Sequence, residues 1–260
     1  MNPHEREKEI ARSLLAAGES KARLPFGKML LLAILAGAYI ALAGVGATAA
    51  AVTVESGSLA KLLSACVFPA GLSMVILAGS ELFTGNCLMV MALLERRITP
   101  AQLLRNWLTV YLGNAVGGAA VAALAVYSHT ASLFGDGLAR SMVSIAESKA
   151  ALGFGDAFLR GVLCNFLVCL AVWMAAASKR AEGKVIALFF PILLFVLCGY
   201  EHCIANLYYL PAGAFAAAEY GVETTLTLAG CLKNLAAVTL GNLVGGAALG
   251  GGYRFAYLKE

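Results

Sequence analysis

Ala78-Gly79-Ser80-Glu81-Leu82-Phe83-Thr84-Gly85-Asn86 lies inside an apolar run that extends from about Leu62 to Leu94. A helix needs roughly 20 apolar residues to cross a bilayer, so the run is long enough to span. A carboxylate, a threonine, an asparagine and two glycines at its centre are costly in hydrocarbon. Backbone leaves helical geometry at membrane depth only where protein or a cavity surrounds it. Ionisable groups there mark functional sites. The stretch predicts a broken membrane helix lining a pathway.

The composition agrees with that reading. Of 260 residues, 60% are hydrophobic and 13% charged, whereas a soluble domain is about half apolar and a quarter charged. Six segments reach or approach spanning length: about Met29–Ala51, Leu62–Leu94, Leu103–Tyr127, Ala157–Ala177, Val185–Ala212 and Leu226–Gly250. An all-α, polytopic membrane protein follows, with the lipid bilayer as its surroundings. No signal peptide is expected, since the first apolar segment follows a charged arm and is too long. Lys and Arg cluster in the amino-terminal arm, around Arg96, Arg97 and Arg105, around Lys179, Arg180 and Lys184, and in the tail. Lys61, Arg140, Lys149, Arg160 and Lys233 are the five on the other side. This bias predicts that both termini are cytoplasmic. The net charge of +4 then reflects topology, and no nucleic-acid partner is expected.

The chain also repeats itself. Arg105-Asn106-Trp107-Leu108-Thr109-Val110-Tyr111-Leu112-Gly113-Asn114 and the following Val116-Gly117-Gly118 recur 128 residues later, from Lys233-Asn234 through Gly241-Asn242 to Gly245-Gly246. Glu81 to Asn86 has a partner in Glu201 to Asn206, each an E-x-x-x-x-N. Three spans per half require the halves to be inverted, with substrate near the midplane between interrupted helices. The second and fifth helices are the interrupted ones, broken by Gly79, Gly85, the Gly199–Asn206 cluster, Pro211 and Gly213. The expected organisation is an amphipathic cytoplasmic helix in 1–27 capped by Asn2, a three-helix repeat in 28–128, and an extracytoplasmic connection in 129–156. A second three-helix repeat in 157–252 and a cytoplasmic tail in 253–260 complete it.

His202 is the one histidine within a membrane segment, at a position paired by the repeat with Leu82. Its charge can change near physiological pH. Thr84, Asn165 and Asn206 supply hydroxyl and amide donors suited to an anion. Phe68, Leu72, Leu82, Phe83 and Phe195 flank the breaks and suit apolar constrictions that gate by excluding water. Glu81, Glu201, Asn114 and Asn242 are symmetric and read as scaffold. The seven cysteines include no CxxC pair and read as small buried hydrophobes, so no metal site is expected. No phosphate-binding loop or haem-type histidine pair is present. No cofactor and no enzymatic activity are therefore expected.

Gly79-Ser80-Glu81-Leu82-Phe83-Thr84-Gly85-Asn86, Cys164-Asn165-Phe166-Leu167-Val168-Cys169, Gly199-Tyr200-Glu201-His202-Cys203-Ile204-Ala205-Asn206 and Val238-Thr239-Leu240-Gly241-Asn242 together resemble the formate–nitrite transporter family, through all six spans. The resemblance implies an aquaporin-like protomer in a homopentamer of the bacterial cytoplasmic (inner) membrane. It implies a pH-dependent path for small monovalent anions of weak acids, formate first, with nitrite and hydrosulfide as alternatives. By the same likeness His202 is the central pore histidine between two slits formed by Phe68, Leu72, Leu82, Phe83 and Phe195. Asn165 and Asn206 resemble polar lining residues, and Lys149 resembles a lysine near Asn165 that adds positive potential. The amino-terminal helix is similar to one that gates from the cytoplasm. Cys203 departs from the serine common in formate and nitrite members and keeps hydrosulfide in play. A neutral-solute channel of the water or glycerol type is the rival from another class. A membrane enzyme using Glu81, Glu201 and His202 is a more distant one.

Overall fold

The structure, a computed structural model, describes residues 3–259; the expected cap at Asn2 lies outside the described residues. Among these the chain forms an all-helical body: α1 (Pro3–Ala22), α2 (Phe26–Ala51), α3 (Gly57–Ala78), α4 (Phe83–Leu94), α5 (Pro100–Tyr127), α6 (Gly137–Ala151), α7 (Phe154–Ala176), α8 (Ala181–Leu197), α9 (Cys203–Tyr220) and α10 (Leu228–Tyr257). Local sequence sets the longer starts. Thr99 and Gln102 form a reciprocal capping box ahead of Pro100, and Thr227 accepts from Gly230 N–H ahead of α10. Such caps satisfy N–H groups that a helix cannot bond internally.

Five helices, α2, α3, α5, α7 and α10, are long and apolar enough to cross a membrane. Their apolar residues do not all turn inward; Leu31, Leu112, Leu124 and Leu240 are exposed, as expected of faces that meet lipid. The expected segments Leu62–Leu94 and Val185–Ala212 are each divided, the first between α3 and α4 and the second between α8 and α9. The breaks do not include Gly85, Pro211 or Gly213, contrary to expectation, because Gly85 lies within α4 and α9 runs unbroken through the other two. Pro211 frees the Leu207 carbonyl of its helical partner. The backbone of Gly118 packs closely against that carbonyl, where a Cβ would come within 3.1 Å. Gly213 admits α6, since its missing Cβ would meet Ala146 and the Met142 carbonyl.

Close glycine contacts recur at the repeat spacing. A Cβ at Gly117 would run into the Ile34 carbonyl, and one at Gly245 into the Val162 carbonyl. Small residues thus let α2 lie along α5 and α7 along α10, where packing rather than hydrophobicity holds helices together in lipid. The likeness extends to α1 and α6, outside the spans. Ile10-Ala11-Arg12-Ser13 through Glu19-Ser20-Lys21-Ala22 matches Leu138-Ala139-Arg140-Ser141 through Glu147-Ser148-Lys149-Ala150, with 7 of 13 residues identical. Ile10, Ala11 and Leu14 of α1 pack into the core that also holds Leu82, Phe83 and Cys87.

Glu147 ties α6 to the loop before α10. It accepts from the Thr225 N–H (2.6 Å) and from the hydroxyls of Thr224 (2.9 Å) and Thr225 (3.1 Å). The Thr225 N–H and then the two hydroxyls hold its carboxyl below the ordinary value. A depressed carboxyl stabilises the fold above its unfolded pKa, a contribution lost as pH falls through the folded value. Acidification below the usual Glu range of about 4.3 should therefore lower the protection of the Thr225 amide relative to its intrinsic exchange rate at that pH, and Glu147→Gln should lower it at neutral pH. Protection unchanged by either treatment would show that the anchor contributes nothing.

Candidate functional site

The site begins with two helix breaks. Gly79 ends α3 with φ 76°, and Gly199 follows α8 with φ 68°; both lie in the left-handed region that glycine enters without a Cβ penalty. The chain then runs extended to Leu82 and His202, from which α4 and α9 start. Interrupted backbone leaves free N–H and C=O groups, and two asparagines satisfy them. Asn114 donates to the Ala33 (2.7 Å) and Glu81 (2.9 Å) carbonyls and accepts from Phe83 N–H (3.0 Å). Asn242 repeats this with Gly161 (2.8 Å), Glu201 (2.9 Å) and Cys203 N–H (2.9 Å).

The carboxylates are likewise duplicated. Glu81 pairs with Lys21 at 2.7 Å and accepts from Asn86 at 2.7 Å, and Asn86 also bonds Asn106. Glu201 pairs with Lys149 at 2.9 Å and accepts from Asn206 at 2.7 Å, and Asn206 also bonds Asn234. Each lysine carbonyl closes the circle by accepting from Asn106 or Asn234. Tyr111 and Thr239, 128 residues apart and so equivalent in the repeat, bond each other at 3.1 Å where the halves meet. A buried ion pair is weak evidence of stability, but removing one partner costs about 3–5 kcal/mol. These networks fix where the broken helices point.

They point at each other. Thr84, in the first turn of α4, lies 3.1 Å (Oγ1 to Nε2) from His202, the N-cap of α9. Two helix N-termini, the positive ends of their dipoles, thus converge on one spot, an arrangement that favours an anion. The His202 ring is fixed by its own helix, because Nδ1 accepts the Ala205 N–H at 3.1 Å. The proton of the neutral ring therefore sits on Nε2 and is donated to the Thr84 hydroxyl, whose own hydrogen stays free to donate. A second proton would have to go on Nδ1, which requires that the Ala205 bond break. Phe195 stacks on the imidazole at 5.8 Å, and Phe68 meets Phe195 edge-on at 5.7 Å.

A cavity of about 420 Å³ opens above this point. Phe68, Phe195, His202 and Lys149 line it together with Lys61, Arg160, Ser144, Tyr200 and Glu201. Leu72, Leu82, Phe83 and Thr84 are buried but do not line it, and Phe83 packs against Trp107 and Tyr111. Asn165 and Asn206 do not line the cavity; Asn165 donates to the Asn242 carbonyl (2.7 Å), and Asn206 serves Glu201 and Asn234. Asn206 Oδ1 has no protein partner. Lys149 bonds Glu201 at 2.9 and 3.1 Å and lies 5.2 Å over the Tyr209 ring. Cys203 is fully buried and absent from the cavity wall. Sequence reading missed Lys61 and Arg160 as wall residues and Lys21 as the partner of Glu81. Charge bias alone assigns all three to topology, and the repeat carries a signal only for Lys21, which stands 128 residues before Lys149.

The family model described as "Formate/nitrite transporter" matches residues 8–256. A probable formate transporter of Methanothermobacter thermautotrophicus is 39% identical, with 97% of each chain covered. The formate channel FocA of Haemophilus influenzae is 40% identical over 82% of this chain and 81% of its own. Among solved structures, an FNT family ion channel superposes with TM-score 0.85 and 32% identity, covering 95% of this chain and 98% of its own. A pentameric formate channel with formate bound gives 0.80 and 33%, over 90% and 98%. These relatives are transporters and channels, not enzymes, and the apolar helices make this a multi-pass membrane protein. The chain belongs to the formate/nitrite transporter family.

Proposed function

We propose that the protein conducts small monovalent anions of weak acids, formate first, through a path centred on the Thr84–His202 contact. The single observation that carries this is the convergence of two helix N-termini and two proton donors where Thr84 meets His202, which itself lines the 420 Å³ cavity. The duplicated hydrogen bonds around Asn114 and Asn242 support two inverted three-helix halves and six spans, with α3–α4 and α8–α9 as the interrupted pair. The charge bias places α1 and both termini in the cytoplasm and the cavity on the outside. The pentameric relative supports a homopentamer in the cytoplasmic membrane, one path per protomer.

The physical task is carrying charge through a dry constriction, where desolvating an ion costs several kcal/mol. Nε2–H of His202 and the Thr84 O–H replace part of the anion's hydration. Desolvation also makes a carboxylate more basic, which favours passage as the neutral acid. His202 can give a proton and remain neutral only from its doubly protonated form, after Nδ1 has released Ala205. Phe68, Phe195, Leu72 and Leu82 keep water out of that exchange. Lys149, held by Glu201, shapes the wall more than it charges it.

Purified protein in liposomes should pass labelled formate with saturation, compete it with nitrite and hydrosulfide, and exclude glycerol. Glycerol passage without formate passage would replace this reading with a neutral-solute channel.

A further inference from the structure

We propose that Lys61 and Arg160 form an anion-capture site in the outer vestibule, shaped for a two-oxygen anion such as a carboxylate. This rests on the transport reading above and concerns how the path is loaded before the His202 constriction. Both side chains line the same cavity as His202. Glu201 is the one carboxylate on that wall, and Lys149 and Asn206 already occupy it. The described ion pairs include neither Lys61 nor Arg160. With Lys149 and Glu201 paired, the wall keeps two cations, Lys61 and Arg160, that no carboxylate lining the cavity balances.

The internal repeat separates these two residues from the scaffold. Leu32 stands 128 residues before Arg160. What the two positions share is the backbone: Glu81 N–H donates to the Leu32 carbonyl at 3.2 Å and Glu201 N–H to the Arg160 carbonyl at 3.3 Å. The architecture uses that carbonyl and does not require a guanidinium. Lys61 likewise takes no part in the duplicated bonds. Two cations that the fold does not need, facing a recess with low-dielectric walls, concentrate anions there. The guanidinium fork matches two oxygens in a plane, whereas an ammonium is a point charge. The Ser144 and Tyr200 side chains stand on the same wall.

The test is initial uptake of labelled formate by right-side-out vesicles from cells expressing the full chain. With Lys61→Gln and Arg160→Gln together, the external formate giving half-maximal uptake should rise about 10-fold. The maximal rate should stay within twofold, and added external salt should slow the variant less than wild type. Arg160→Lys should raise the half-saturating formate several-fold yet leave hydrosulfide uptake unchanged, because an anion with a single acceptor atom does not use the fork. An unchanged half-saturation in the double variant, or a fall in maximal rate alone, overturns the capture site while wild-type uptake keeps the transport reading. An effect that vanishes in liposomes without anionic lipid assigns the cations to lipid headgroups and also overturns it. Wild-type vesicles that take up no formate overturn the transport reading itself.

Discussion

Asn242→Leu should destabilise the protein by about 2–5 kcal/mol, as three backbone groups lose their partner in an environment without water. The groups are the Gly161 and Glu201 carbonyls and the Cys203 N–H, all within 2.9 Å of the amide. Leucine has the same number and branching of side-chain heavy atoms, so the loss does not report a cavity. Asn114→Leu should act alike, because its three bonds to Ala33, Glu81 and Phe83 are the same set in the other half. Denaturation in mild detergent, followed by the recovery of intact oligomer, measures both. Wild-type resistance in either variant would mean that the broken backbone finds other partners and that the asparagines do not set the geometry of the breaks.

His202→Asn should separate the two roles of that histidine. An asparagine oxygen can still accept from the third residue of α9, as N-cap side chains do, so the fold should hold. The Nε2–H opposite Thr84 is lost, and with it the capacity to take up and release a proton. A hydrogen bond to a charged group contributes about 1.5–3 kcal/mol, so formate flux should fall about 10- to 100-fold. The remaining flux should follow pH only as the substrate's own ionisation does. His202→Phe removes the cap as well, so it should lose oligomer in addition to flux.

Much of the fold and part of the site are legible in the sequence, and particular residues show why. Gly79 and Gly199 mark the breaks because a polar cluster within an apolar run is too costly to face lipid as regular helix. The recurrence of Asn106 and Asn114 at Asn234 and Asn242 foretells matching scaffold bonds. Pro211 misleads, because sequence alone does not show that the carbonyl it frees lies against Gly118. The likeness of α1 to α6 is present in the letters but lies outside the hydrophobic segments, where spans are sought. The engagement of Asn206 and Lys149 by Glu201 is not legible at all. A residue that faces an anion path and one that braces it have the same side-chain chemistry, and only the packed helices assign the partner. Lys61 and Arg160 carry no pattern beyond charge, which topology already accounts for.

In the proposed mechanism the Thr84–His202 contact is the point every transported anion must pass. Labelled formate uptake across an external pH series, by liposomes holding equal amounts of intact wild-type or His202→Asn oligomer, tests it most directly. The predicted result is saturable, pH-sensitive uptake in wild type and a roughly 10- to 100-fold lower rate in the variant, with only the substrate's own pH dependence remaining. Equal rates and identical pH profiles in the two proteins would contradict it.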